Sequence, residues 1–168
     1  MGKLKKIFKE YGIYALIIIV VILIKTYVIS PIVVSGDSMD STLKDGDIML
    51  LNKLNYDESK IERFDIVVVK YNNKHIIKRV IGLPGDEIEY IDNMLYINGK
   101  VYTEKFLDED TKTEDFKVNS IPEGKYFVLG DNREVSLDSR KIGLIKEEDI
   151  EGHAIYTIFP FNRFGKKE

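Results

Sequence analysis

The sequence predicts a mainly β fold, a sandwich or barrel-like domain of short antiparallel strands preceded by one transmembrane helix. Three observations carry this prediction: one long apolar run near the N-terminus, short β-branched stretches after it, and turn-forming residues between those stretches at close intervals.

The apolar run comes first. Residues Gly12 to Ile24 carry no charge and are rich in Ile, Val and Leu, and the apolar character resumes past Lys25 and Thr26 through Tyr27, Val28 and Ile29. From Tyr11 to Ile29 the run approaches the ~20 residues that a helix needs to span ~30 Å of hydrocarbon. Lys25 can snorkel from near the far end. Lys3, Lys5, Lys6 and Lys9 precede the run against a single Glu10, so the N-terminus is expected to stay cytoplasmic and everything after about residue 30 to be exported. A cleaved secretory signal is the rival reading, with small residues at Ser30 and Ser35. Pro31 argues against the first site, and cleavage after Ser35 would remove the lead into residues 36–43. A buried core helix is disfavoured by the β-branched bias and the basic flank. The expected organisation is therefore 1–30, basic N-terminus and anchor, and 31–168, one extracytoplasmic domain in a single-pass cell-membrane protein.

After Pro31, which stops helical continuation, Ile32-Val33-Val34 opens an extended run. Further stretches of strand character are Ile48 to Leu51, Asp65 to Val69, Lys74 to Ile81, Glu87 to Ile91, Met94 to Ile97, Lys125 to Leu129 and His153 to Ile158. Asp45-Gly46, Pro84-Gly85, Asp92-Asn93, Asn98-Gly99 and Glu123-Gly124 separate them as turns. Asp92-Asn93 and Asn98-Gly99 also suggest tight hairpins. The acidic stretch from Asp108 to Asp115 lacks the glycine and ligand spacing of a calcium loop and reads as a solvated loop.

Composition removes several function classes. Charged residues are 32% of the chain yet nearly cancel to a net of −3, so no strong field points at nucleic acid. Cysteine is absent, which excludes disulfides, a thiolate nucleophile and the common zinc-finger ligand sets. His75 and His153 are too few and too far apart in sequence to suggest a metal cluster, and neither a metal nor an organic cofactor is expected.

A serine hydroxyl needs a neighbouring base to become a nucleophile at neutral pH. Neither histidine has a partner in an obvious triad context, whereas Lys78 sits in the apolar run Ile76-Ile77-Lys78-Arg79-Val80-Ile81. Strand alternation would point it inward with Ile77 and Arg79 on the opposite face. Burial would lower its pKa from ~10.4 toward the 7–8 that suits a general base. Taken alone, an edge-strand lysine reaching water explains the same residue. Ser41-Thr42-Leu43-Lys44 fits the S-x-x-K pattern of penicillin-binding enzymes, but the Ser-Asp-Asn and Lys-Thr-Gly partners are missing.

Three strings in this order decide between these readings: Gly36-Asp37-Ser38-Met39; Lys78-Arg79-Val80 followed by Gly82-Leu83-Pro84-Gly85-Asp86; and Gly130-Asp131-Asn132-Arg133 with Ser136, Asp138, Ser139 and Arg140. Together they resemble the boxes of type I signal peptidases, the leader peptidases of bacteria. The resemblance implies a membrane-bound serine endopeptidase that removes N-terminal signal peptides from exported preproteins. By it, Ser38 is the nucleophile, Lys78 the general base and Ser136 the residue that orients the lysine. Arg79, Asp131, Asp138 and Arg140 hold the site by ion pairs, and the backbone of Ser38, with the Gly36 region, forms the oxyanion hole. Ile32, Val34, Met39, Leu43 and Ile77 map onto the walls of the pockets for small side chains, although plain core packing would explain each of them equally well. The implied partners are signal peptides and membrane lipid, with the export channel expected nearby. Two departures stand out: Ser41 replaces the family's usual proline, and Gly36 stands where some members carry a serine. The first motivates an alternative, a catalytically silent membrane-anchored peptide-binding relative; a peptidase dedicated to one substrate protein is another.

Overall fold

The computed structural model describes residues 2–53 and 61–167, with the backbone alone for 2–10 and at residue 155. Helix α1 runs from Gly2 to Tyr27. The apolar run was expected to stay helical to Ile29, but the chain turns into strand β1 (Ile29–Val33). The helix end is fixed locally: the Ser30 hydroxyl donates to the Lys25 carbonyl at 2.8 Å and the Lys53 N–H to the Val28 carbonyl at 2.9 Å. Pro31 is tolerated inside β1 because that strand lies at a sheet edge, where one side needs no N–H. Ile13, Leu16 to Ile24 and Tyr27 of α1 are all exposed. The helix's described side chains, 11–27, cover about 25 Å at 1.5 Å per residue, and among the described residues no helix is long and apolar enough to cross a membrane. The lysines on which the expected orientation rests, Lys3, Lys5, Lys6 and Lys9, have side chains outside the described residues.

Beyond α1 the described chain is mainly β, and its strand pairs are antiparallel. The remaining strands are β2 (Ile48–Asn52), β3 (Ile66–Tyr71), β4 (Lys74–Gly82), β5 (Ile88–Ile91), β6 (Met94–Ile97), β7 (Lys100–Tyr102), β8 (Phe116–Val118), β9 (Lys125–Leu129), β10 (Ile145–Lys146), β11 (Ile150–Phe159) and β12 (Gly165–Lys166). A short helix, α2 (Ser139–Ile142), follows β9. The larger sheet has the order β1-β2-β11-β3-β4-β9-β10, with β12 added to β11; the smaller has the order β7-β6-β5-β8.

Hairpins owe their tightness to residues that accept positive φ. Asp92 and Asn93 lie at φ 50° and 64°, and Asn98 and Gly99 at 52° and 74°, the paired left-handed conformation that matches strand twist. Asn72-Asn73, at 48° and 60°, makes a third such turn between β3 and β4 that the turn reading above does not include. The apolar residues form three buried clusters. One gathers Val34, Met39, Leu43, Met49, Leu51, Ile66, Val68 and Ala154 beneath β1 and β2. A second centres on Val67, Val69, Val80 and Val128. The third joins the smaller sheet through Ile88, Tyr90, Leu95 and Ile97 to Ile81, Phe127 and Leu129.

Candidate active site

The turn from Gly36 to Leu43 is held open for chemistry from several sides. The Asp40 N–H donates to the Asp37 carbonyl at 3.0 Å and the Leu43 N–H to the Met39 carbonyl at 2.8 Å, so Ser38 projects from a closed turn. Met39 and Leu43 anchor that turn in the first core. From the facing loop, the Asn132 N–H donates to the Ser38 carbonyl at 3.1 Å. Gly130 makes this approach possible. A Cβ there would lie 2.3 Å from the Ser38 carbonyl oxygen and 2.2 Å from Ser136 Oγ, so no other residue fits without moving backbone.

Lys78 arrives from β4. Its Nζ donates to Ser38 Oγ and to the Ile77 carbonyl, each at 2.7 Å. The side chain is 2% exposed. Burial pushes the amine down from 10.5 to about 8, with the carboxylates of Asp138 and Asp131 opposing the shift. The strand does not simply turn Lys78 in and its neighbours out. Arg79 is buried as well, because its own face is covered by Asp131, Thr42 and the Phe106 ring.

Arg79 meets Asp131 as a two-pronged pair, Nε to Oδ1 at 2.9 Å and Nη2 to Oδ2 at 2.8 Å. Thr42 completes the unit: its hydroxyl donates to Asp131 at 2.6 Å and accepts from Arg79 at 3.1 Å. The Arg79 guanidinium also lies 3.9 Å from the Phe106 ring centroid. Arg140 grips Asp138 in the same two-pronged manner, at 2.9 and 2.8 Å. Burial pushes the Asp138 carboxyl up, but Arg140 and the Gly130 N–H outweigh it and hold the group below its usual range.

Three expectations need correction. Ser136 is fully buried, but its hydroxyl is not bonded to the Lys78 amine. It lies near enough to Asp138 to favour that carboxylate's charge, while the amine's hydrogen bonds go to Ser38 and Ile77 instead. The Gly36 N–H is unavailable to an oxyanion because it donates to Asp45 Oδ1 at 2.8 Å. Leu43 belongs to the core at 0% exposure and does not wall the cleft. The other four residues assigned to the pockets do: Ile32, Val34, Met39 and Ile77 line a cavity of about 340 Å³ that also reaches Ser38 and Lys78. Its two long walls are strand edges. Among the described residues β1 pairs only with β2, and residues 74–78 of β4 pair with β3 but have no strand on the β9 side.

Ser41 is not a loosened proline site. Its φ is 101°, its N–H donates to Asp40 Oδ1 at 3.0 Å and its hydroxyl to the Phe106 carbonyl at 3.1 Å. His75 and His153 stand beside carboxylates, Glu151 at 3.1 Å and Asp65 at 3.2 Å.

One functional unit went unassigned in the sequence. Arg133, which falls inside the third string, is buried and donates to the Gly130 carbonyl at 3.0 Å, to Tyr90 at 2.7 Å, to Thr113 at 3.0 Å and to Glu104 at 2.6 Å. It ties the smaller sheet to the loop that carries Gly130. The signal available was an arginine inside the most specific string of the chain.

Comparison with known proteins gives a consistent result. The family model described as signal peptidase, peptidase S26, matches residues 6–159. Signal peptidase IB of Staphylococcus aureus is 39% identical, over 89% of this chain and 88% of that protein. Signal peptidase I of Bacillus licheniformis is 38% identical, over 99% of this chain and 96% of that protein. Among solved structures, a signal peptidase I from Enterococcus faecalis V583 is 39% identical with a TM-score of 0.52, covering 56% of this chain and 96% of that one.

Proposed function

The chain belongs to the S26 family of signal peptidases, and from that premise we propose that it is a membrane-anchored serine endopeptidase using Ser38 and Lys78 to remove signal peptides from exported preproteins. The observation that carries the proposal is the 2.7 Å contact between Lys78 Nζ and Ser38 Oγ in a dry setting. Deprotonated, the amine accepts the Ser38 proton as Oγ attacks the scissile carbonyl, and it then delivers that proton to the leaving amine. Water, activated by the same amine, releases the acyl group. The Ser38 N–H, which has no acceptor among the described residues, is the donor for the developing oxyanion. Gly36 contributes through its backbone shape, with φ 85°, and not through its N–H.

Arg79, Asp131, Asp138 and Arg140 act on the base indirectly. They fix the loop against which Ser38 rests, and the two carboxylates temper the fall in the amine's pKa. Ser136 keeps a position within the same packed loop. Substrate binds as an added strand between the open edges of β1 and β4, with alternate side chains entering the apolar cavity. Small side chains fit there; large ones meet Met39 and Ile77.

The anchor reading rests on α1, whose backbone extends over 26 residues, about 39 Å at 1.5 Å per residue, and whose described aliphatic side chains are exposed on every face. The basic N-terminus would then be cytoplasmic and the β domain extracytoplasmic, where it meets preproteins leaving the export channel.

The test is cleavage of a preprotein by the purified full chain in detergent. Ser38→Ala and Lys78→Met should each lower turnover by more than about 10³-fold. Wild-type turnover by either variant contradicts the proposal.

A further inference from the structure

A second cavity, of about 510 Å³, also borders the Ser38–Lys78 pair and is lined by Asp37, Asp40, Ile76, Asn132, Val135 and Leu137, most of them absent from the first. Ser38 and Lys78 border both cavities, so an extended peptide crossing the two side chains occupies one with its acyl half and the other with its leaving half. The direction follows from the anchor. The first cavity runs from Ser38 to Ser30 and Lys53, which are hydrogen-bonded to the end of α1. A substrate held in the bilayer by an apolar segment upstream of its cut therefore fills that cavity with upstream residues.

We propose that the second cavity receives the first residues of the released chain and selects against acidic side chains there. This rests on the peptidase reading above. Val135 is 60% exposed and Leu137 46%, and both present apolar surface to this cavity. Asp37 and Asp40 add two carboxylates at the rim, both exposed. Among the described residues the Asp40 carboxylate accepts only the Ser41 N–H, at 3.0 Å, and no cation pairs with it. Such a rim attracts the ammonium that cleavage creates on the product and repels a substrate carboxylate. At contact distance in water one like-charge pair is worth about 1 kcal/mol, a factor of about five in kcat/KM.

The experiment compares preproteins identical up to the cut whose first two released residues are Ala-Lys, Ala-Leu or Ala-Glu. The full-length enzyme at low salt should cleave Ala-Glu about fivefold less efficiently than Ala-Lys. Asp37→Asn should narrow that gap and leave the preference for small residues upstream of the cut unchanged. Raising salt to about 0.5 M should narrow the gap in the wild type as well, because exposed charges are screened. Equal efficiencies at low salt, or a gap that survives both changes, overturn the inference while leaving the peptidase reading intact. No cleavage of any of the three overturns both.

Discussion

Lys78 carries a conflict between stability and chemistry. At pH 7 the folded protein must hold a proton on an amine whose pKa has fallen from 10.5 to about 8, a cost of roughly 3 kcal/mol at 1.36 kcal/mol per unit. The sign follows from proton binding. Between about 8 and 10.5 the unfolded chain binds more protons, so this group's contribution to stability rises with pH across that window and is flat, at its least favourable, below it. Lys78→Met should therefore leave an inactive protein with a melting temperature at pH 7 equal to or above that of the wild type, and the advantage should shrink toward pH 10. A marked drop in melting temperature at pH 7 contradicts this. Position 41 makes the reverse point. Restoring proline would force φ from 101° to about −65° and delete an N–H bonded to Asp40, so Ser41→Pro should destabilise by more than about 1 kcal/mol and reduce cleavage. The lysine's burial was suggested by its apolar neighbours, but its pairing with Ser38, forty residues away, came only from the resemblance. Ser41's backbone was illegible because nothing in its neighbours announces a positive φ.

At the scale of elements, the loop after β9 and strand β4 are joined by the buried Arg79–Asp131 pair, and Thr42 of the turn before β2 bridges to both partners. Asp131→Asn would leave Arg79 buried without its counter-ion, and a loss of about 3 kcal/mol or more is expected in chemical denaturation. Gly130→Ala should be comparably severe for cleavage, since its methyl group would occupy the space of the Ser38 carbonyl. Alternating β-branched residues and paired turn residues made most strands of both sheets readable. The exceptions are β7, β8, β10 and β12, two or three residues each and mostly lysine, glycine or single apolar positions. Their existence depends on a neighbouring edge to pair with, and no local pattern encodes that. Leu43 shows the same limit at the site: a leucine beside a cleft and a leucine beneath it look identical in sequence, and the turn's geometry sends this one into the core.

Across the whole molecule, none of the described side chains of α1 enters the three buried clusters. The β domain is stabilised by its own cores, and under the anchor proposal the helix would hold it where substrates arrive. Removing residues 2–27 should leave the thermal unfolding of the β domain unchanged in detergent and preserve cleavage of a short soluble peptide, while cleavage of a preprotein embedded in vesicles falls at least tenfold. The smaller sheet reaches the active site through Arg133, whose partners Tyr90, Thr113 and Glu104 lie on or beside it. Both sheets thus brace one cleft.

The most direct measurement is kcat/KM for preprotein cleavage by the full chain from pH 5 to pH 10. Because the protonated amine cannot accept the serine proton, the rate should climb tenfold per pH unit at low pH and level off above a single ionisation near 8, set by Lys78. A profile that is flat across this range, or a rising limb that persists at the same pH in Lys78→Met, would contradict a lysine base.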